Sequence, residues 1–178
     1  MQRWRVPLGF VCAALFIIFA RPRPLTLALG GGVALMGLAM RAWASGHIRK
    51  NSALAVSGPY AHTRNPLYLG SFVLGLGFTI ASNQPLLTLL FAALFLGIYV
   101  PVMRVEAATL IDIFGEDYAR YSRAVPLFLP RLIPYRDDQA QSAAKFDATL
   151  YMRYREYRAT LGFAAAWGLL ALRFAFIK

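Results

Sequence analysis

Residues 67–103, LYLGSFVLGLGFTIASNQPLLTLLFAALFLGIYVPVM, contain no charged side chain. The run divides at Ala81-Ser82-Asn83-Gln84-Pro85, a short uncharged turn, into apolar segments of about 67–82 and 85–103. A membrane helix needs about 20 apolar residues, so this stretch reads as a hairpin of two such helices. Further apolar segments lie at about 6–20, 25–45 and 160–177. The expected fold class is an all-α integral membrane protein, a bundle of about five transmembrane helices in one domain spanning residues 1–178.

Composition agrees with that class. Of the 178 residues, 58% are hydrophobic and 15% charged, against roughly 25% charged in an ordinary soluble domain. All eight acidic residues lie at or after Glu106, whereas the first 105 residues carry nine Lys and Arg. The net charge of +11 points, in so apolar a chain, to anionic lipid headgroups and not to nucleic acid. Cys12 stands alone, so no intrachain disulfide is possible. Residues 1–20 have the charge pattern of a signal peptide, but Ile18 spoils the cleavage site, and a retained first helix is expected.

In the second segment, Gly30-Gly31-Gly32 and Gly37 suit close helix packing. Arg49, Lys50 and Arg64 in the 46–66 loop, and the many arginines of 104–158, place both regions on the cytoplasmic side, with 81–85 outside. A helix from about Glu106 is expected to stop at Gly115. A short helix then begins with Glu116 and Asp117, and Pro126, Pro130 and Pro134 give an extended stretch on the membrane surface. Phe146, Leu150, Tyr154 and Tyr157 mark one face of an interfacial amphipathic helix leading into the last span, so that 145–178 forms a C-terminal unit.

Two polar blocks flank the hairpin. Ahead of it stands Gly58-Pro-Tyr-Ala-His-Thr-Arg-Asn-Pro-Leu-Tyr-Leu-Gly70; behind it stand Arg104-Val-Glu106 and Phe114-Gly115-Glu116-Asp117-Tyr118. The hairpin returns the chain to the side it left, so both blocks belong to one site at the membrane surface. His47 and His62 without a partner cysteine make a metal centre unexpected, and no Ser or Cys stands in an activating context. What remains is a pocket rich in arginine and tyrosine with one well-placed carboxylate, Glu106. Arginine clamps carboxylates, and tyrosine rings pack on aromatic bases or face cations. S-adenosyl-L-methionine offers adenine, ribose, sulfonium, amine and carboxylate, which suit such a pocket.

Tyr60, Arg64-Asn-Pro-Leu-Tyr68, Glu106, Leu110, Phe114-Gly115, Tyr118, Tyr121 and Val125-Pro126 together resemble the membrane methyltransferases of the isoprenylcysteine carboxyl methyltransferase and phospholipid methyltransferase group. The similarity covers about 40–135. The resemblance implies a cofactor site for S-adenosyl-L-methionine built by a cytoplasmic loop and tail. It assigns His47, Ile48, Arg49, Lys50, Tyr60, Asn65, Pro66, Leu67, Tyr68 and Glu106 to the cofactor, and Arg64 and Arg104 to aiming the acceptor. Asn65 stands where the family often has His, and Glu106-Ala107 where it commonly pairs two glutamates. The implied reaction is carboxyl O-methylation of an isoprenylcysteine-like acceptor, a membrane lipid or lipid-modified substrate. N-methylation of a phosphatidylethanolamine-type headgroup is the nearest alternative. A membrane NADPH-dependent reductase or a non-enzymatic bundle stands further off.

Overall fold

The computed structural model describes residues 14–49, 53–136 and 145–176. Among them the chain is helical, with one isolated antiparallel bridge between Arg49 and Ala53. Residues 14–19 are helical, and the earlier part of the first apolar segment lies outside the described residues. Then come α1 (Pro24–Ser45), a 3-10 turn (Gly58–Ala61), α2 (Pro66–Ser82) and α3 (Pro85–Leu94). A π turn (Phe95–Tyr99) leads into α4 (Val100–Ala124), followed by α5 (Ala148–Arg153) and α6 (Tyr157–Phe176).

Among the described residues three helical stretches are long and apolar enough to cross a membrane: α1 with 22 residues, Pro85–Ala124 with 40 and α6 with 20. The 17 residues of α2 reach about 25 Å at 1.5 Å each, the low end for a span. Each of α1 to α3 begins with proline at its first position, where the missing N–H costs nothing. Asn83, in the left-handed region at φ 50°, closes α2 and turns the chain into α3.

The centre of the bundle is the antiparallel crossing of α1 and α2. Gly30 meets the Gly77 carbonyl and Ala81, and Gly37 meets Leu74 and the Gly70 carbonyl. With no Cβ on either side the backbones touch, and dispersion and packing hold helices that lipid alone would not drive together. Gly31 instead lies beside Trp167 of α6, and Gly32 has no neighbour. At the end of the bundle formed by the α2–α3 turn, Phe16, Ala20, Ala81, Leu87 and Leu170 make an apolar cluster. Arg173 Nε donates to the Ala20 carbonyl there at 2.8 Å.

The long helix is not uniform. Pro101 lacks the N–H that would meet the Gly97 carbonyl, and the π turn immediately precedes it. Gly115, at φ 52° and ψ −125°, breaks α4 where the sequence predicted a stop. Beyond Val125 the proline-rich segment is more than a surface strand. It straps the loop ahead of α2: Arg64 N donates to the Pro126 carbonyl at 3.0 Å, Arg131 N to that of His62 at 2.9 Å, and Tyr135 N to that of Ala61 at 2.9 Å. Phe128 of the strap packs on Phe72 and Phe95, with ring centroids 5.7 and 5.5 Å apart.

The expected amphipathic ramp is interrupted. A six-residue helix, α5, ends in a turn in which Arg155 takes φ 55°, and only then does α6 begin. A non-glycine residue in that region costs roughly 1–2 kcal/mol, so something at the turn must repay the strain. Phe146 does not lie free at an interface; its ring fills the space that a side chain on Gly46 would need.

Candidate active site

The two polar blocks meet. The strap carries the loop: Thr63 Oγ1 donates to the Phe128 carbonyl at 2.9 Å and Asn65 Nδ2 to that of Leu127 at 2.9 Å. From the far side, Tyr121 of α4 donates its hydroxyl to the Tyr60 carbonyl at 2.7 Å. Tyr118, Tyr121 and Val125 form a buried cluster beneath, with Leu110, Phe114 and Tyr135 against it.

Between the loop, α1, α2 and α4 lies a cavity of about 560 Å³, within the range of roughly 300–1,000 Å³ common for small-molecule sites. Ile48, Arg49, Tyr60, Arg64, Asn65, Pro66, Leu67, Tyr68 and Glu106, all singled out in the sequence, line it. Lys50 falls outside the described residues. His47 is buried behind the wall, its Nδ1 2.9 Å from the Trp43 carbonyl oxygen and its ring against Phe146. Arg104 does not line the cavity and is exposed. Two positions along an α-helix are about 200° apart around the axis, so a helix that offers Glu106 to the cavity turns Arg104 away.

Besides the apolar Ala53, Leu54 and Ala55, the residues at the site that the sequence did not single out are Arg41, Ser71 and Tyr99, which line the cavity, and Glu156, which pairs with Arg41. One signal was present. Arg41 is the only charged residue between Pro24 and Ser45, and an ionisable residue inside an apolar span marks function by default.

Charge in the cavity is uneven. Three arginines, Arg41, Arg49 and Arg64, face one carboxylate, Glu106. Arg41 is neutralised by Glu156 at 2.8 Å. Arg64 makes a long bond of 3.4 Å to the Tyr118 hydroxyl, and its Nε is buried with no acceptor. Among the described residues neither Arg64 nor Glu106 has an ion-pair partner. A guanidinium so placed is costly unless an anion joins it, and a site holding one unpaired cation and one unpaired anion fits a zwitterion. Burial pushes the Tyr60 hydroxyl far above the usual phenol range, with Tyr121, Glu106 and Glu156 adding to the shift. Tyr60 therefore stays protonated and serves as a hydrogen-bonding wall, not a base. Among the described residues no three His, Cys, Asp or Glu side chains gather to hold a metal ion.

Gly58 sets the loop. It sits at φ +59°, and a Cβ there would stand 2.6 Å from His47 Cδ2 and Nε2. Gly58→Ala is expected to cost roughly 1–2 kcal/mol in backbone strain and another 1–3 in overpacking. Thermal unfolding in detergent reads this, with Gly97→Ala, which meets nothing within 4 Å, as the silent control. Equal midpoints for the two variants would refute the assigned role of Gly58.

Residues 26–117, just over half of the chain and including all the lining residues named above except Tyr118 and Tyr121, match the phospholipid methyltransferase family. The cobalt-zinc-cadmium resistance protein CzcN of Cupriavidus metallidurans is 37% identical over 143 residues, 76% of this chain and 65% of that protein. The nickel-cobalt-cadmium resistance protein NccN of Alcaligenes xylosoxydans xylosoxydans is 33% identical over 112 residues, 60% of this chain and 52% of its own. Protein-S-isoprenylcysteine O-methyltransferase of Schizosaccharomyces pombe is 34% identical over 85 residues, covering 48% of this chain and 36% of that enzyme. The chain thus spans less than two thirds of each of these relatives. No solved structure matches. An all-helical membrane bundle with its two polar blocks joined around one cavity, and a family match across both, lead to one assignment: the chain belongs to the phospholipid methyltransferase family.

Proposed function

We propose that the protein is a membrane methyltransferase that uses S-adenosyl-L-methionine to methylate the carboxylate of a lipid-modified, isoprenylcysteine-like acceptor. The observation that carries this reading is the cavity in which Arg64 and Glu106, opposite in charge and both without an ion-pair partner among the described residues, stand among tyrosines. Bound there, the cofactor supplies an activated methyl group on a sulfonium. The chain's own part is to hold and to align. Glu106 accepts hydrogen bonds from an amine or from ribose hydroxyls, and the Arg64 fork suits a carboxylate. Tyr60, Tyr68 and Tyr99 offer ring faces and edges. Positioning two reactants is a large part of accelerating a bimolecular step, and the apolar helices help to exclude water.

A carboxylate acceptor is ionised at neutral pH and needs no general base, which fits a site whose one lining carboxylate serves the cofactor and whose Tyr60 stays protonated. The excess of arginine over acid in the lining favours an anionic acceptor. The second reading, N-methylation of a phosphatidylethanolamine-type headgroup, is favoured by the family match itself; its ammonium would first have to lose a proton, which calls for a base. The positive charge of the loop and tail supports a cavity on the cytoplasmic side and suits contact of the same arginines with anionic headgroups.

Transfer of labelled methyl from S-adenosyl-L-methionine into a total lipid and membrane-protein extract tests the proposal. Label released by mild base as volatile methanol comes from a carboxyl methyl ester and supports it. Base-stable label selects the amine reading. No transfer, with cofactor binding absent by calorimetry, refutes both.

A further inference from the structure

Arg41 and Glu156 form an ion pair across 115 positions of chain that no motif announces. Arg41 Nη2 donates to both carboxylate oxygens of Glu156, at 2.9 and 2.8 Å, and the two side chains are only 22% and 14% exposed. The other end of the guanidinium works on α2: Nη1 donates to Ser71 Oγ and, at 3.5 Å, to the Leu67 carbonyl, while Ser71 Oγ itself donates to that carbonyl at 2.9 Å. Leu67 and Ser71 belong to the first turns of α2, and both line the cavity together with Arg41. Glu156 is not in the lining; its side-chain hydrogen bonds come from Arg41, which is.

The chain accepts strain to bring Glu156 there. The helix expected to run on from Phe146 breaks between α5 and α6, with Arg155 in the left-handed region at φ 55°. That break aims Glu156 at α1. The same segment is pinned at its other end, where Asp147 N donates to the Gly46 carbonyl at 2.9 Å and Phe146 packs on His47. Glu156 also cancels the charge of Arg41, which leaves Arg64 as a half-buried arginine with no carboxylate partner among the described residues; the Nε of both arginines lacks an acceptor.

We propose that Glu156 is a positioning residue: through Arg41 it fixes the first turns of α2, and with them the shape of the cavity. Residues 145–157, outside the stretch matched to the family, then belong to the working site. The identity of the ligand rests on the function proposed above, and the test keeps the two apart. Its first arm needs no ligand. Hydrogen exchange of the full chain in detergent is compared for wild type and Glu156→Gln; peptides covering 66–72 are expected to exchange at least about threefold faster in the variant, with peptides of the α2–α3 turn unchanged. No change at 66–72 overturns the proposal.

The second arm measures S-adenosyl-L-methionine binding by calorimetry. Glu156→Gln and Arg41→Gln are each expected to weaken it about tenfold, and the double variant no further than either, because partners acting as one unit are not additive. Additive losses, or unchanged affinity in Glu156→Gln, overturn the proposal. Glu156→Asp keeps the charge and shortens the reach, so it provides an intermediate loss to measure if the glutamine variant does not fold. If wild type fails to bind the cofactor while exchange at 66–72 still responds to Glu156, the positioning role stands and only the ligand assignment falls.

Discussion

Gly37→Leu is expected to abolish the folded protein, while Gly32→Leu leaves it intact. A Cβ on Gly37 would lie 2.3 Å from Leu74 N, 2.7 Å from the Gly70 carbonyl oxygen and 2.8 Å from Leu74 Cα. All three are backbone atoms of the facing helix, so no rotamer change relieves the clash. Overpacking a core usually costs about 1–3 kcal/mol; here α1 and α2 would have to separate, and the crossing that holds the bundle would open. Gly32, five residues away on the same helix, meets nothing within 4 Å. Size-exclusion profiles and unfolding midpoints in mild detergent decide the matter. Comparable monodisperse peaks from both variants would show that the helices do not touch at Gly37.

The second large effect belongs to the cavity's unpaired charges. Glu106→Gln keeps the shape and removes the charge, and affinity for S-adenosyl-L-methionine is expected to fall by roughly 1.5–3 kcal/mol, the range for a hydrogen bond to a charged group. Arg64→Lys keeps charge but loses the planar fork, so it is not conservative at a bidentate site. Cofactor binding and turnover are expected to fall together there, because Arg64 lines the cavity on the same loop as Tyr60 and Asn65. Arg104→Lys, on an exposed position outside the lining, is expected to leave cofactor binding unchanged. Full affinity in Glu106→Gln, with the protein folded, would reduce Glu106 to a structural residue.

Much of this site was legible because its signals are local. The uncharged run of 67–103 announces a hairpin, and a hairpin returns Glu106 to the neighbourhood of Arg64 whatever the details of packing. The Gly115 break and the 81–85 turn are written in helix-ending residues: a glycine and an asparagine that take positive φ, and a proline after the turn. Gly30 and Gly37 announce a close crossing, although only the structure says that Gly70 and Gly77 face them.

The rest depends on pairings that leave no periodic trace. Arg41 and Glu156 are too far apart in sequence for any spacing to join them, and no Gly or Pro between Phe146 and Tyr157 announces the helix break beside Glu156. The resemblance assigns Arg104 to the acceptor, and two residues from Glu106 the helical period turns it out of the cavity lining. His47, which the resemblance assigns to the cofactor, is not in the cavity lining and packs against Gly58 and Phe146. The role of the strap was hidden because backbone groups contribute much of it.

That last feature bears on how the protein tolerates change. Between Pro126 and Tyr135 the loop is held by Arg64 N, Asn65 Nδ2 and Thr63 Oγ1 reaching main-chain carbonyls, and by two amides of the strap reaching back. A carbonyl is the same whichever residue bears it, so most substitutions there leave the fastening in place. A single inserted or deleted residue does not, because it slips every partner along the loop by one place. The strap is thus expected to tolerate substitution away from Phe128 and Tyr135, whose rings pack on the site, far better than a change of length, the reverse of an ordinary surface loop.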